Sequence, residues 1–363
     1  MKTQVGVIEG FYGEPWSWEE RERYAAFLAG NGFAFYIYAP KADPYMRKKW
    51  REPMPAELEA RLAKLSARCR SEGLEFGVGF SPYEIYLSPF DSGAKALLQE
   101  KIDAFNRIGV DKFGLLMDDM KGDSPELARR QIEIVNWAAS RSSARQLIFC
   151  PTYYSFDPVL EKLFGKRPEG YLETLGKELD PKVRLFWTGE LVCSKSYGVE
   201  HLRAISGTLG RKPFLWDNYP VNDGPRMCKF LHLWAMTGRP AAMGEWLAAH
   251  SVNPMNQAAL SMIPLLTLKS SYERGEAYDP DKAFLEAAAL VTCPEMARQL
   301  EKDLPDLMDK GLDQLSEGER ARLKGVYRPY LDSGTNRTAD AAREITDWLD
   351  GRYVVTKDLF LTQ

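Results

Sequence analysis

The feature that most constrains this chain is an alternation. Short apolar, β-rich runs alternate with amphipathic helical stretches through the first three quarters of the sequence. The runs fall at residues 5–9, 33–39, 74–80, 112–117, 146–151, 183–188, 213–216 and 241–246, and each predicts a strand. Segments such as 18–29, 55–72, 95–108 and 125–139 carry helical spacing between them. Strands that alternate with helices argue for a parallel sheet. Runs such as Phe113-Gly114-Leu115-Leu116-Met117 are apolar throughout, which suits a strand covered on both faces. Eight such units in ~250 residues are the expected size of a (β/α)8 barrel. The competing architecture is an open doubly wound sheet. No GxGxxG or phosphate loop follows any of these strands, which weighs against it. The expected fold class is therefore α/β, a (β/α)8 TIM barrel over residues 1–273.

From about Arg274 the strand signals fade until the last residues. Stretches 281–291, 294–302, 316–328 and 338–349 read as amphipathic helices, punctuated by Asp279-Pro280 and Pro305. A C-terminal helical domain over residues 274–363 is expected. A chain of 363 residues has room for one large domain and such an appendage.

Composition narrows the function classes. Apolar residues make up 45% and charged residues 27%, and the formal net charge is −3. Such a balance lacks the basic excess of a nucleic-acid surface, so no nucleic-acid partner is expected. No apolar stretch of ~18 residues is present for a membrane span. The five cysteines are scattered, without a CxxC pair, and the three histidines form no HExxH. No metal and no cofactor are expected, and the cysteines read as thiols in a reducing compartment. A strand-like run begins at Val5, leaving no room for a signal sequence before it, so a cytoplasmic location is expected. Oligomeric state has no signal in the sequence.

Active-site residues of such barrels come from the C-terminal ends of several strands. Those ends here read Glu9-Gly10-Phe11-Tyr12-Gly13, Tyr38-Ala39-Pro40-Lys41, Ser81-Pro82-Tyr83, Met117-Asp118-Asp119, Thr152-Tyr153-Tyr154, Trp187-Thr188-Gly189 and Trp216-Asp217-Asn218, with Asn222-Asp223 close behind. The eighth leads through Glu245-Trp246 to Asn253-Pro254. Singly, each has a plain structural reading: an aspartate as helix cap, a glycine as turn former, a lysine in solvent, an aromatic in the core. Together they place a carboxylate pair, a lysine, side-chain amides and aromatic rings on one rim. That inventory suits a sugar, whose C–H faces pack on aromatic rings and whose hydroxyls bond to Asp, Asn and Lys.

Asp118 and Asp119 carry the chemistry in this reading. Adjacent strand residues point to opposite faces, so at the mouth one carboxylate can face the barrel axis while the other lines the rim. Two nearby carboxylates cannot both ionise freely. One can act as a general acid while the other stays anionic, the division that glycoside hydrolysis commonly needs.

The same strand ends resemble glycoside hydrolase family 84, the O-GlcNAcase family, which also includes bacterial enzymes once called hyaluronidases. The matching stretches begin with Gly6-Val7-Ile8-Glu9-Gly10-Phe11-Tyr12-Gly13-Glu14-Pro15-Trp16, Tyr38-Ala39-Pro40-Lys41 and Trp50-Arg51-Glu52-Pro53. They continue with Met117-Asp118-Asp119, Cys150-Pro151-Thr152-Tyr153-Tyr154 and Trp187-Thr188-Gly189. Trp216-Asp217-Asn218-Tyr219-Pro220-Val221-Asn222-Asp223 and Asn253-Pro254-Met255-Asn256-Gln257 complete the ordered set. The resemblance implies a retaining, substrate-assisted β-N-acetylglucosaminidase, in which the 2-acetamido oxygen attacks the anomeric carbon to give an oxazoline. Asp118 matches the residue that orients and polarises the acetamido group. Asp119 matches the general acid, later the base for water. By the same matching, the Gly10 carbonyl, Lys41, Asp223 and Asn253 contact sugar hydroxyls and Asn218 contacts the acetamido region. Tyr154 and Trp216 wall the acetamido pocket, with Tyr12 at the entrance. The implied partner is an N-acetylglucosamine-containing glycoside or glycoprotein.

This chain departs from the family pattern at several points. Ala42 precedes Asp43 where two acidic residues are usual, Tyr83 replaces a glycine, and Tyr153 replaces a glutamate. These departures bear on the aglycone and on the shape of the pocket, not on the matched carboxylates. Competing functions are an endo-acting glycan hydrolase of hyaluronidase type, a non-catalytic carbohydrate-binding barrel that would ordinarily have lost an acid, and a barrel enzyme of unrelated, phosphate-dependent chemistry.

Overall fold

The structure is a computed structural model that describes residues 3–333 and 336–356. Eight parallel strands close into a barrel in sequence order, with β8 returning to pair with β1. They are β1 (Val5–Glu9), β2 (Phe35–Tyr38), β3 (Glu75–Phe80), β4 (Lys112–Leu116), β5 (Gln146–Cys150), β6 (Arg184–Trp187), β7 (Phe214–Asp217) and β8 (Ala249–Val252). The strands are buried along nearly their whole length, as continuous apolar runs require. Crossovers are made by α1 (Trp18–Gly30), α2 (Ala56–Ser71), α3 (Ser92–Ile108), α4 (Leu127–Ala139), α5 (Pro158–Phe164), α6 (Tyr171–Glu178) and α7 (Val199–Thr208). Helix α3 shows the local logic. Asp91 caps its first turn by accepting from the Ala94 N–H at 2.9 Å, and Gly109 ends it in the left-handed region at φ 75°.

Seven strands lie where the sequence places them; the eighth does not. Residues Ala241–Trp246 form 3-10 turns, and β8 is Ala249–Val252. The sequence Ala-Ala-Met-Gly-Glu-Trp is poor in β-branched residues, and the real strand is disguised by His250 and Ser251. Their polar atoms are satisfied inside the barrel wall. His250 Nε2 lies 3.1 Å from Asp217 Oδ2, and Ser251 Oγ donates to the Leu215 carbonyl at 2.5 Å. Tyr197 donates to the other Asp217 oxygen at 3.1 Å. Thus a polar strand can be fully buried without orphaned groups.

Glu9 closes β1 with a second buried polar cluster. Arg21 on α1 donates to both of its carboxylate oxygens, at 2.9 and 2.7 Å, and the Tyr36 hydroxyl also donates to it. This two-pronged pair fixes the strand end from which Gly10 projects.

By compactness the chain divides into two units. One holds the residues up to Gly10, Trp18–Asn218 and Ala242–Val252; the other holds Phe11–Ser17, Tyr219–Ala241 and everything from Asn253 onward. The second unit is helical, with α8 (Ala258–Arg274), α9 (Pro280–Val291), α10 (Pro294–Leu304), α11 (Glu317–Tyr327) and α12 (Asn336–Leu349). Here α8 groups with the helices that follow it. Within it, Glu344 on α12 accepts from the Ala259 and Leu260 N–H groups at 2.8 and 2.9 Å, capping α8 from far along the chain. Among the described residues no helix is long and apolar enough to cross a membrane.

Candidate active site

In the first unit the C-terminal ends of β2, β4, β5 and β7 bring together the residues expected there. Met117 extends the β4 ladder by donating to the Cys150 carbonyl at 2.9 Å, and Asp118 follows it. Asp118 is buried, and its Oδ2 pairs with the equally buried Lys41 Nζ at 2.5 Å. Its Oδ1 is also buried and has no hydrogen-bond partner among the described residues. A buried carboxylate oxygen without a donor is costly, so this atom marks where a donor from outside the chain would be most favourable.

Asp119 adopts φ 53°, the left-handed region that aspartate tolerates better than most side chains. Such a conformation costs on the order of 1–3 kcal/mol and persists only where its surroundings impose it. Tyr154, just past β5, donates its hydroxyl to Asp119 Oδ1 at 3.0 Å. Burial pushes the Tyr154 phenol well above the ordinary tyrosine range, and the negative charges of Asp119 and Asp118 push the same way. It therefore stays protonated as a donor. The buried Cys150 thiol is pushed up by burial and then by Asp118, with Lys41 opposing, which keeps it from thiolate chemistry.

Trp216 on β7 lies beside Lys41. The Lys41 ammonium sits 5.8 Å from its ring centroid, and Phe186 packs against it edge-on at 5.0 Å. Its indole N–H donates to Asn218 Oδ1 at 3.0 Å, while Asn218 Nδ2 donates to the Val192 carbonyl at 2.9 Å. These two bonds fix which end of the amide faces which neighbour. Gly10 lies against the same ring: a Cβ there would meet Trp216 Cζ2 at 2.4 Å, so only glycine permits this approach. Gly10, Lys41, Asp118, Asp119, Tyr154, Trp216 and Asn218 all belong to this unit.

Asp223 and Asn253 belong to the second unit. There Asp223 Oδ2 accepts the Tyr12 backbone N–H at 2.8 Å. Asn222 donates to Gln257 Oε1 at 2.9 Å and to the Phe230 carbonyl at 3.0 Å. Asn256 donates to the carbonyls of Tyr12 and Glu14, each at 3.0 Å. An amide network thus ties together the three segments that carry Tyr12, Asp223 and Asn253. Asn253 is 4% exposed.

Trp187 lies in the core, fully buried, and donates to His201 Nε2 at 3.0 Å. One residue near the carboxylates was invisible in the sequence. Arg47 is buried, with Nη2 3.4 Å from the Asp119 carbonyl and Nη1 3.1 Å from Ser81 Oγ. It opens the basic run Arg47-Lys48-Lys49, which reads as solvated surface, and no local pattern marks its first member as buried. Among the described residues no three His, Cys, Asp or Glu side chains gather as a metal-holding group.

Comparison with known proteins agrees with this fold. The sequence model of the family described as NAGidase, beta-N-acetylglucosaminidase, matches residues 5–304. The chain is 31% identical over 278 residues to the protein O-GlcNAcases of Rattus norvegicus and Mus musculus, a match that covers 74% of this chain. It spans only 30% of the length of those relatives. Among solved structures, a mutant of the Thermobaculum terrenum O-GlcNAc hydrolase superposes with a TM-score of 0.76 at 27% identity, covering 96% of this chain and 82% of that one. The family match over most of the chain, with the eight-stranded barrel and the carboxylate pair at its rim, shows that this chain belongs to the beta-N-acetylglucosaminidase family of glycoside hydrolases, family 84.

Proposed function

We propose that this chain is a retaining, exo-acting β-N-acetylglucosaminidase whose nucleophile is the substrate's own 2-acetamido oxygen. The observation that carries the reading is Asp118. One of its oxygens is committed to Lys41 at 2.5 Å, and the other is buried without a donor among the described residues. An acetamido N–H is a donor of the required kind. Accepting it orients the amide and raises electron density on its oxygen.

In the first step the acetamido oxygen bonds to the anomeric carbon. The bond from that carbon to the aglycone oxygen breaks, and the Asp119 proton passes to the departing oxygen. The ring nitrogen keeps its proton, held by Asp118, so the intermediate is an oxazolinium. In the second step Asp119 takes a proton from water as the water oxygen attacks the anomeric carbon, and the ring reopens to the acetamide. Two inversions give net retention, in the substrate-assisted variant of glycoside hydrolysis. Tyr154 and Trp216 wall the acetamido group and Asn218 contacts that region. The Gly10 carbonyl, Lys41, Asp223 and Asn253 serve the sugar hydroxyls, with Tyr12 at the entrance. The roles of Asp223 and Asn253 rest on the motif resemblance. The substrate class is an N-acetylglucosamine glycoside or glycoprotein. A cytoplasmic site of action belongs to the same proposal, supported by buried thiols at Cys69, Cys150 and Cys228.

The test is hydrolysis of an aryl β-N-acetylglucosaminide beside the matching β-glucoside, with wild type and Asp118→Asn. Cleavage of the acetamido sugar alone, lost in the variant, is the expected result. Equal cleavage of both sugars would remove the acetamido nucleophile from the mechanism.

A further inference from the structure

The segment that follows Asp119 is held residue by residue. Arg47 reaches the Asp119 carbonyl at 3.4 Å. The Glu84 N–H donates to Met120 Sδ at 3.4 Å, and the Tyr86 hydroxyl donates to the Lys121 carbonyl at 2.7 Å. Gly122 donates its N–H to the Phe164 carbonyl at 2.8 Å. The Tyr153 ring lies flush on Gly122, where a Cβ would meet its hydroxyl oxygen at 2.6 Å and its Cε2 at 2.8 Å. The Tyr153 hydroxyl donates onward to the Gly165 carbonyl at 2.6 Å. The strands β2, β3 and β5 therefore send anchors from their C-terminal loops onto four consecutive residues, all within the first unit.

The geometry points to a clamp that presets Asp119 before substrate arrives, with Arg47, Tyr86 and Tyr153 as positioning residues for the proton transfer. This rests on the reading of Asp119 as the general acid. Three observations join here. Asp119 sits at φ 53°, a conformation its surroundings must impose. Every residue from 119 to 122 has a contact from another loop, so the backbone on the exit side of the acid cannot relax independently. Tyr153 rests its ring on Gly122 and donates its hydroxyl to the Gly165 carbonyl, so one side chain bridges the two loops. A proton donor displaced by a fraction of an ångström loses efficiency only where protonation limits departure of the leaving group. A clamp on the acid is thus distinguishable from a general contribution to folding.

The experiment is a series of aryl β-N-acetylglucosaminides, from dinitrophenyl to unsubstituted phenyl, with wild type, Tyr153→Phe, Tyr153→Leu, Gly122→Ala and Asp119→Ala. Gly122→Ala forces the Tyr153 ring and its hydroxyl away without removing either group, so it tests the clamp even if Tyr153→Leu fails to fold. The expected result is near wild-type kcat/KM on the dinitrophenyl glycoside and a loss of about tenfold on the phenyl glycoside for Gly122→Ala and Tyr153→Leu. Tyr153→Phe keeps the ring on Gly122 and should fall between. A steep leaving-group dependence in Asp119→Ala beside parallel losses, or no loss, in folded Gly122→Ala and Tyr153→Phe would overturn the clamp and leave the acid in place. No leaving-group dependence in Asp119→Ala would overturn the acid role and the clamp with it.

Discussion

At the scale of single residues, the two carboxylates differ by what their neighbours do. Asp118 is paired to Lys41 on one oxygen and, among the described residues, has no partner on the other, whereas Asp119 accepts from a phenol. Asp119→Ala should cost about 10²–10⁴-fold on poor leaving groups and far less on activated ones, since only the former need a proton. Asp118→Ala should slow both alike, and a leaving-group series on the two variants reads the contrast. Tyr154→Phe keeps the wall and removes the 3.0 Å bond to Asp119. A buried hydrogen bond of this kind is worth about 0.5–1.5 kcal/mol, so kcat/KM should fall by up to roughly tenfold, with a stability loss of similar size in urea unfolding. Asp118, Asp119 and Lys41 could be picked out from sequence because each directly follows an apolar run at a strand end. Arg47 could not, because its burial depends on Ser81 and the Asp119 carbonyl, which come from other strands.

At the scale of elements, burial of polar groups decides what the sequence hides and how the barrel responds to pH. β8 was misplaced because His250 and Ser251 break the apolar pattern, yet both are fully buried. Partners on β7 make this possible, and a sequence window cannot see them. His250→Leu would leave the buried Asp217 carboxylate with only the Tyr197 hydroxyl of the two partners described. Stripping a partner from a buried charge costs about 3–5 kcal/mol, which urea unfolding would measure. Trp216 and Asn218 flank Asp217, so the same variant should weaken sugar binding as well. Burial also pushes the phenols of Tyr36, Tyr38, Tyr154 and Tyr171 well above the ordinary range, with Glu9, Asp43, Asp119 and Tyr86 as the next causes in turn. The unfolded chain would lose these protons from about pH 10, where the folded chain still holds them. Stability from this source is complete below about pH 10 and falls as pH rises toward the folded values, by up to about 1.4 kcal/mol per pH unit for each phenol. Thermal unfolding followed from pH 8 to 11 should show Tm steady at first and then dropping steeply.

At the scale of the whole molecule, the strand–helix alternation was enough to identify a barrel, because a period of strand and crossover is written locally. The division into units was not legible, because it depends on contacts between residues far apart in sequence. Helix α8 lies almost wholly before the boundary expected at Glu273, yet its first turn is capped by Glu344 on α12, and the chain places α9 against it. Trp348 on α12 donates to the Cys228 carbonyl at 3.1 Å, and the Val355 N–H donates to Cys228 Sγ at 3.4 Å. Phe284 on α9 packs on Trp234 with centroids 5.0 Å apart. A chain ended after Glu273 would lose all of these. The α8 N–H groups would lose their carboxylate, Cys228 its cover and Trp234 its partner, each loss leaving buried polar or apolar surface unmatched. Residues 1–273 alone should therefore be proteolysed rapidly across 219–241 and 253–273 and lack a single cooperative transition, while Glu344→Gln in the full chain should cost about 1–3 kcal/mol. A stable, active 1–273 fragment would instead mean that the barrel carries its own folding information up to Glu273. The helices after it would then be an attachment rather than part of the unit that holds Asp223 and Asn253.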